Sequence, residues 1–400
     1  MVPENPSWLQ TALRYIQSLV TSRPTPEARA AYTVAAAALL QAYPEDASKT
    51  LFSADKTGDK PFGYLFVNLV LIDIRSSAPM LLEQLNNPEY QASSTRIAAA
   101  LDIICIFIGF LVRCLEDESM DSLMMPADSL LRLRKSVSET LSIAIEFLRD
   151  RWDAAVAGAM GLHPDARAGK AETSTGSHRT LGWDSATNPV EDDPLTLAAI
   201  RALALWLRED DNEQLRMEAT GLLDVFMDLY KKPGDGGLDF RSPILVGLEG
   251  LMTIDEGREL LLKHDGWKIL TQDILETLQA SQSVIRPEDT SRAVDAARIL
   301  LDVVERESAG TVEEWMNLIT SVAAWNPPDQ DIQQAQEELQ AAVLQLCCAV
   351  LTRASPGMRA RYKHSISAIA GVAERLRVTD EVTREAIKEV QETLVSIRVD

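Results

Sequence analysis

Apolar residues recur at steps of three and four along almost the whole chain, and this spacing constrains the fold more than any other feature. In Trp8–Val20, the residues Leu9, Leu13, Ile16 and Val20 fall on one face of an α-helix. No stretch shows sustained apolar–polar alternation between hairpin turns, so no β-strand is predicted. The helical period returns in Leu195–Leu207, Leu215–Tyr230, Leu270–Leu278, Ala293–Val304, Leu318–Ala324, Ala341–Leu351, Ile366–Leu376 and Val382–Ile397.

Helix starts carry their own signature, a good N-cap residue directly before proline. The cap oxygen accepts a hydrogen bond from a first-turn amide, and proline at the next position gives up an N–H that has no partner. The segment Thr311–Glu314 has the form of a capping box, and Gly250, Gly257 and Gly266 are expected to divide Ile244–Leu278 into short helices. The cap–proline pairs are Thr25-Pro26, Asn87-Pro88, Asp193-Pro194, Ser242-Pro243 and Ser355-Pro356.

Short, uniform helices joined by tight turns favour stacked helical repeats over a compact bundle. Ala31–Leu40 and Leu101–Val112 are apolar on two sides, as helices with neighbours on both sides of a stack must be. We therefore predict an all-α, armadillo/HEAT-like α-solenoid of about fifteen helices with one long flexible insert. No clean repeated consensus is visible, so this prediction depends on helix length and number.

One segment, residues 163–193, interrupts the helical pattern. It is rich in Gly, Ser, Thr, Pro and charge, and its large apolar residues are Leu181, Trp183 and Val190. Such a segment buries too little apolar surface to offset its ordering entropy. The sequence therefore predicts N-terminal helical repeats over 1–162, a flexible insert over 163–193 and C-terminal armadillo-like repeats over 194–400. The insert either separates two halves of one continuous solenoid, which is favoured, or joins two domains.

The charge balance is acidic, with 39 Lys and Arg against 60 Asp and Glu and a formal net charge of −21. This balance argues against a general nucleic-acid binder and against docking on an anionic membrane surface. The most hydrophobic stretch, Ile97–Val112, contains Asp102 and is shorter than the roughly 20 residues that a membrane span needs. We predict a buried core helix there, no transmembrane segment, no secretory signal and a cytoplasmic location.

The histidines, cysteines and glycine-rich turns are the residues that could carry catalytic or metal-binding chemistry. The histidines have no metal-ligand spacing, the cysteines lie in apolar surroundings typical of buried thiols, and no phosphate loop or nucleophile elbow is present. We predict no enzymatic activity, no catalytic residue, no metal and no cofactor. The residues are His163, His178, His264 and His364, and Cys105, Cys114, Cys347 and Cys348.

Two basic clusters and one tryptophan are the candidate binding residues. Each cluster could dock an acidic peptide or a phosphorylated partner, or simply form a polar helix face with partners four residues away. Trp183, in the insert, could anchor to a partner or fold back on the solenoid. The N-terminal basic cluster is Arg132, Arg134 and Lys135, and the C-terminal basic cluster is Arg353, Arg359, Arg361, Lys363 and His364. The residues predicted to bind a partner are Arg353, Arg359, Arg361, Lys363 and Trp183.

Three segments, Ala199–Asp210, Leu215–Leu223 and Pro243–Lys263, resemble the neurochondrin family. The likeness continues through Ala293–Val304 and Met316–Ala323 and covers about residues 194–376. It implies an armadillo-like, largely cytoplasmic helical protein without enzymatic activity. Animal neurochondrins are adaptors in neurite outgrowth and signalling, in contact with receptors, a calcium/calmodulin-dependent kinase and membrane trafficking. The family has no catalytic residues to carry over to this sequence.

The function predicted on these grounds is that of a non-enzymatic α-solenoid scaffold or adaptor. It would bind other proteins or peptides, in signalling or trafficking. The alternative is an acidic chaperone or transport adaptor for a basic client protein, because a net charge of −21 would screen and hold such a client. A basic client should dissociate steeply as salt rises, whereas binding in an apolar groove should not.

Overall fold

The structure, a computed structural model, describes residues 3, 6–22, 24–53, 61–117, 119–120, 125–162, 183–185, 189–231, 237–280, 286–308, 310–327 and 334–399. These residues form eighteen α-helices, short 3₁₀ turns and one two-stranded sheet. The helices are α1 (Leu9–Thr21), α2 (Pro26–Ala42), α3 (Pro44–Phe52), α4 (Phe62–Leu81), α5 (Tyr90–Glu116), α6 (Ala127–Val156), α7 (Pro194–Glu209), α8 (Glu213–Thr220), α9 (Leu223–Lys231), α10 (Arg241–Leu251), α11 (Asp255–Lys263), α12 (Gly266–Gln279), α13 (Pro287–Arg306), α14 (Met316–Ala324), α15 (Gln334–Arg353), α16 (Pro356–Arg361), α17 (Lys363–Arg375) and α18 (Glu381–Val399).

Contacts divide the chain into two compact units. Unit 1 comprises Met1–Val225 and Lys232–Gly247, and unit 2 comprises Phe226–Lys231 and Leu248–Asp400. The domain division predicted from the sequence, at residues 163–193, falls within unit 1 and stays a prediction.

In unit 1 the helices form two rows. Helices α2, α5 and α7 lie side by side in one row, and α4, α6 and α8 lie side by side in the other. Helices α4 and α6 also pack on α5 and α7 respectively, which joins the rows. Phe52 fills the space between them, with its ring centroid 6.3 Å from that of Phe66, 5.3 Å from Phe107 and 5.7 Å from Phe110.

Unit 2 repeats this arrangement. Helices α12, α13, α15 and α18 are successive neighbours in one row, and α14 and α17 pack together in the other. Trp267 and Trp315 stack with their ring centroids 4.5 Å apart, and Trp315 is fully buried. In both units helices that are not consecutive in sequence become neighbours in a row, as in armadillo and HEAT stacks. The predicted all-α solenoid fold is confirmed, with eighteen helices in the described residues rather than about fifteen.

Three of the five predicted helix caps are formed. The Thr25 hydroxyl accepts from the amide of Ala28 at 3.3 Å, and the Ser355 hydroxyl accepts from the amide of Met358 at 3.3 Å. The Asp193 carboxylate accepts from the amide of the second residue of α7 at 3.0 Å. In each case the proline after the cap begins the helix, as predicted.

The other two cap predictions are wrong. Asn87 accepts from the amide of Glu89 at 3.1 Å, but α5 begins only at Tyr90. Helix α10 begins at Arg241, before Ser242-Pro243, because the Asp239 carboxylate accepts from the Arg241 amide at 3.0 Å. At Ser242-Pro243 the Asp239 side chain takes the role that the dipeptide suggested, whereas at Asn87-Pro88 the Asn87 side chain closes a turn on Glu89 before the helix begins.

The predicted capping box at Thr311–Glu314 is also absent. The Thr311 hydroxyl donates to the carbonyl of Val350, on α15, at 2.5 Å. A 3₁₀ turn over Glu313–Trp315 follows, with Val312 before it. The threonine therefore joins two distant segments of unit 2, which its local sequence cannot show.

Two short strands correct the prediction that the chain has none. β1 (Ala159–Leu162) and β2 (Trp183–Ser185) pair antiparallel, with Ala159 opposite Ser185 and Leu162 opposite Trp183. Strands of four and three residues are too short to show an alternating pattern. Within the predicted insert, β2 and residues 189–193 are therefore packed, and Val190 is buried. Residues 163–182 and 186–188 lie outside the described residues.

Two apolar helices, Phe62–Gln84 and Tyr90–Glu116, are long and hydrophobic enough to cross a membrane by length and composition alone. Both pack inside unit 1, where Phe66 and Phe107 are buried. Asp102, in the middle of α5, accepts from Arg201 of α7 at 2.5 Å and from Gln41 of α2 at 3.0 Å. These contacts favour core helices, as the sequence predicted for Ile97–Val112. The apolar length of the two helices is therefore only weak support for a membrane span.

Candidate functional site

The C-terminal basic cluster lies in unit 2, from the end of α15 to the first turn of α17, and its members have different surroundings. The Arg353 side chain turns inward and donates to the carbonyl of Glu307. The amide of Thr311 donates to the Arg353 carbonyl at 3.3 Å. Arg353 thus holds the turn after α13 against the end of α15, which is a structural task.

Arg361 and Tyr362, by contrast, share a carboxylate at the surface. An Nη of Arg361 donates to Glu313 Oε1 at 2.7 Å, and the Tyr362 hydroxyl donates to the same oxygen at 2.9 Å. The hydrogen bond to Glu313 raises the pKa of Tyr362 above its ordinary value. The Arg361 side chain remains 67% exposed in this pair, so one of its edges faces solvent.

Lys363 and His364 are exposed in the first turn of α17, and Arg359 is half-buried on α16. The structure therefore brings four members of the C-terminal basic cluster together on α16 and α17 and turns Arg353 away from them. Partner binding by the predicted residues stays a prediction.

The N-terminal basic cluster lies on α6 in unit 1 and is largely neutralised. Arg134 donates to both carboxylate oxygens of Asp210, at 2.6 and 3.3 Å, and also to Asp211. Lys135 pairs with Glu139 at 3.8 Å. The hydrogen bonds to Asp210 raise the pKa of Arg134. Of the two alternatives, Arg134 and Lys135 fit a polar helix face with acidic partners.

A groove of about 710 Å³ runs along α6 beside the start of α8. Its α6 wall is one helical stripe, which continues past the charged residues through Ser138 to Ser142. The Ser142 hydroxyl donates to Glu218 of α8 at 2.6 Å, and Glu139 accepts from Arg75 of α4 at 2.8 Å. The charged side chains that line the groove therefore already have hydrogen-bond or ion-pair partners within unit 1.

Trp183 lies on β2 and is 46% exposed. The neighbouring Asp184 carboxylate accepts from the side-chain amide of Asn86, which also donates to the carbonyl of Leu162 at 3.0 Å. Asn86 therefore links the 3₁₀ segment after α4 to both strands. Trp183 is placed by this small sheet and keeps about half of its surface open.

A buried polar network surrounds Asp193 near the N-terminus of α7, and the sequence predicts only the capping role of this residue. Asp193 accepts from the Tyr90 hydroxyl at 3.1 Å and lies 3.8 Å from the guanidinium of Arg151. Burial, followed by the nearby Asp193 charge, raises the pKa of Tyr90. These residues line a cavity of about 310 Å³. The cap signal at Asp193-Pro194 could have identified Asp193, but its partners lie 42 and 103 residues away along the chain.

Chemistry at the cysteines is limited by burial. Cys114, Cys347 and Cys348 are buried and Cys105 is partly buried, all as free thiols. Burial raises the pKa of Cys348 to about 12, so it stays protonated at neutral pH. Within the described residues no three His, Cys, Asp or Glu side chains are grouped as metal ligands.

Comparison with known proteins places this arrangement of helices in a family. An uncharacterized protein of Schizosaccharomyces pombe is 23% identical over 216 residues, which are 54% of this chain and 33% of that protein. The chain thus spans about a third of the length of this curated relative. The neurochondrin family profile matches residues 1–375, so it also covers the N-terminal part of the chain, where the sequence shows only general helical character. The chain belongs to the neurochondrin family.

Proposed function

We propose that this protein is a non-enzymatic helical scaffold that binds other proteins, an adaptor of the cytoplasm in signalling or trafficking. The observation that carries the proposal is the neurochondrin family match over residues 1–375, because neurochondrins form a scaffold-type family that is not known for enzymes. Stacked rows of helices present long exposed surfaces, and solenoid proteins bind their partners on such surfaces.

The surfaces that best fit this role are the exposed part of the C-terminal basic cluster and Trp183. Lys363 and His364 are exposed in one helical turn, and Arg361 keeps one edge open. Arginine and tryptophan are residue types that contribute strongly to protein interfaces, and Arg361 and Trp183 both keep exposed surface.

Affinity purification of the full chain from its native cells, read by quantitative mass spectrometry, tests the proposal. We expect at least one protein to be recovered in near-stoichiometric amount, and the purified pair to associate again when mixed. Recovery of no protein above a tag-only control, or failure of every purified pair to associate, would contradict a scaffold. Reproducible turnover of a substrate, abolished by one carboxylate substitution, would show an enzyme instead.

The net charge of −21 supports a second candidate, a chaperone or transport adaptor for a basic client. The two functions differ in the charge of the partner, because a basic client would be held by exposed carboxylates whose attraction is screened over a Debye length of about 8 Å at physiological ionic strength. Complexes with a basic client should weaken steeply between low and physiological salt, and the partner itself should carry a high positive charge. An adaptor complex with a neutral partner that persists at high salt excludes the chaperone function.

A further inference from the structure

The longest stretch of the chain without Asp or Glu runs over residues 339–373. These 35 residues contain no acidic side chain, whereas the next longest such stretch, residues 5–26, has 22. The same 35 residues hold Arg353, Arg359, Arg361 and Lys363, together with His364. In a chain of net charge −21, such a stretch needs a physical explanation.

Burial explains only the first part of this stretch. Residues 339–351 belong to α15, where most side chains are buried between α13 and α18, and buried positions rarely hold a carboxylate without a partner. The part on α16 and α17 is different, because most of its residues up to 368 are exposed or partly exposed. Surface positions accept Asp and Glu freely, so packing does not account for their absence there.

The exposed surface of α16 and the first half of α17 combines cations with short side chains. Ser367 and Ala368 follow Lys363 and His364 by four residues, so the four lie along one side of α17. A Cβ added at Gly357 on α16 or at Gly371 on α17 would meet no atom within 4 Å, so there is open space beside both helices at these positions. Another chain can therefore approach this surface closely.

The surface already holds one carboxylate of the chain itself. The Glu313 carboxylate lies against it, with one oxygen 2.7 Å from a guanidinium nitrogen of Arg361 and 2.9 Å from the Tyr362 hydroxyl. The Glu313 side chain is itself 54% exposed. This carboxylate pairs with Arg361 at the edge of the surface, while the side chains of Lys363 and His364 on α17 face solvent.

We propose that the basic face of α16 and α17, formed by Arg359, Arg361, Lys363 and His364 with Ser367 and Ala368, docks an acidic segment of a protein partner. The inference rests on the proposed scaffold function and names the chemistry of its partner, a segment rich in Asp and Glu. Its carboxylates would lie beside that of Glu313 and complement Lys363 and His364. The acidic remainder of the chain repels longer polyanions such as nucleic acid, which favours a short acidic segment.

Fluorescence anisotropy with a labelled poly-glutamate peptide tests this proposal on the full chain. Lys363→Glu places a negative charge in the centre of the face, and we expect the peptide affinity to fall about tenfold or more at low salt. Lys388→Glu is the matched control, because Lys388 is an exposed lysine on α18 whose side chain is 74% exposed. This control makes the same change of net charge and should alter the affinity by less than about twofold.

Loss of folding does not explain the expected result, because an acidic residue in the first turn of α17 suits the helix dipole. The melting temperature of Lys363→Glu should therefore match or exceed that of the wild-type protein. Equal loss of affinity in both variants, or no binding of the peptide by wild type at low salt, overturns the proposal. Tighter binding to a phosphatidylserine vesicle or a single-stranded oligonucleotide than to the peptide, lost in Lys363→Glu, overturns the choice of an acidic protein segment.

Affinity purification separates this inference from the scaffold function itself. If Lys363→Glu recovers the same partners as wild type, the scaffold stands and the basic face is not its docking surface. If partners are lost from Lys363→Glu and kept by Lys388→Glu, both are supported.

Discussion

At the scale of single residues, Asp193 performs several tasks at once. Its carboxylate caps α7, accepts from the Tyr90 hydroxyl at 3.1 Å and lies 3.8 Å from the buried guanidinium of Arg151. We expect Asp193→Ala to lower the free energy of unfolding by about 3 kcal/mol, because it removes a cap and the carboxylate beside a buried cation. Urea unfolding followed by circular dichroism measures this loss.

The adjacent residue supplies the control for that measurement. Asp192 is exposed, and Asp192→Ala should change stability by less than about 0.5 kcal/mol. Equal effects of the two substitutions would show that the network around Asp193 contributes nothing beyond surface charge.

Asp289, at the start of α13, gives unit 2 a dependence on acid. Burial raises its pKa, but hydrogen bonds from Arg286 and Arg292 outweigh this and lower the pKa to about 2, against an ordinary value of 3.8. Because the folded-state pKa is the lower one, the stabilisation is complete above about pH 4 and is lost as the pH falls towards 2.

Asp289→Asn should therefore destabilise the protein near neutral pH and not in strong acid. The expected loss at pH 7 is on the order of 1 kcal/mol, less than the full pKa change because part of the carboxylate faces water. Urea unfolding of wild type and variant at pH 7 and near pH 2 measures the difference. A difference that persists unchanged at the lower pH would refute this account of Asp289.

At the scale of elements, two glycines in neighbouring helices should respond in opposite ways to alanine. A Cβ at Gly63, in the first turn of α4, would lie 2.5 Å from the carbonyl oxygen of Phe52 and 2.7 Å from the side chain of Met125. Gly109, in α5, has no atom within 4 Å of the same position. Gly63→Ala should cost about 1–3 kcal/mol through overpacking, and Gly109→Ala should stabilise by about 0.5–1 kcal/mol through helix propensity.

Thermal unfolding of the two variants distinguishes packing from propensity. A stabilising effect at both positions would mean that the backbone at Phe52 and the side chain of Met125 shift easily to make room for the added methyl group. A destabilising effect at both would contradict the open space found beside Gly109.

The helices themselves were predictable because their signals are local, whereas their ends and contacts often were not. The caps at Thr25, Asp193 and Ser355 were predicted correctly from two adjacent residues. Asn87 accepts from an amide two residues away, before the helix begins, whereas Thr311 donates to the carbonyl of Val350 on another helix. A local motif cannot show a partner that is brought close only by the fold.

At the scale of the whole molecule, the same limit separates the fold class from the candidate site. Fold class follows from the period of the apolar residues, which is written along each helix. The surroundings of a charged side chain depend on distant residues, as with Arg134, whose partner Asp210 is 76 residues away. The sequence therefore identified both basic clusters but could not show that Arg134 and Lys135 on α6 have acidic partners while Lys363 and His364 on α17 are exposed.

Each helix in a stack is stabilised mainly by the helices next to it. Protection of backbone amides from exchange should therefore rise and fall with the burial of each helix. Helix α15 has twelve described buried residues between α13 and α18, whereas α16 has none. In hydrogen–deuterium exchange we expect α15 and α7 to exchange slowest and α16 to exchange quickly, in spite of its formed cap at Ser355.

This order also bears on the proposed docking surface. An acidic peptide bound to the basic face should slow exchange in α16 and the first turn of α17 while leaving α7, in unit 1, unchanged. Exchange in α16 as slow as in α15 before any ligand is added would contradict the link between burial and protection in this protein. Slower exchange in α7 than in α16, with and without peptide, would support the link between burial and protection. Protection of α16 that appears only when the peptide is present would support docking on the basic face.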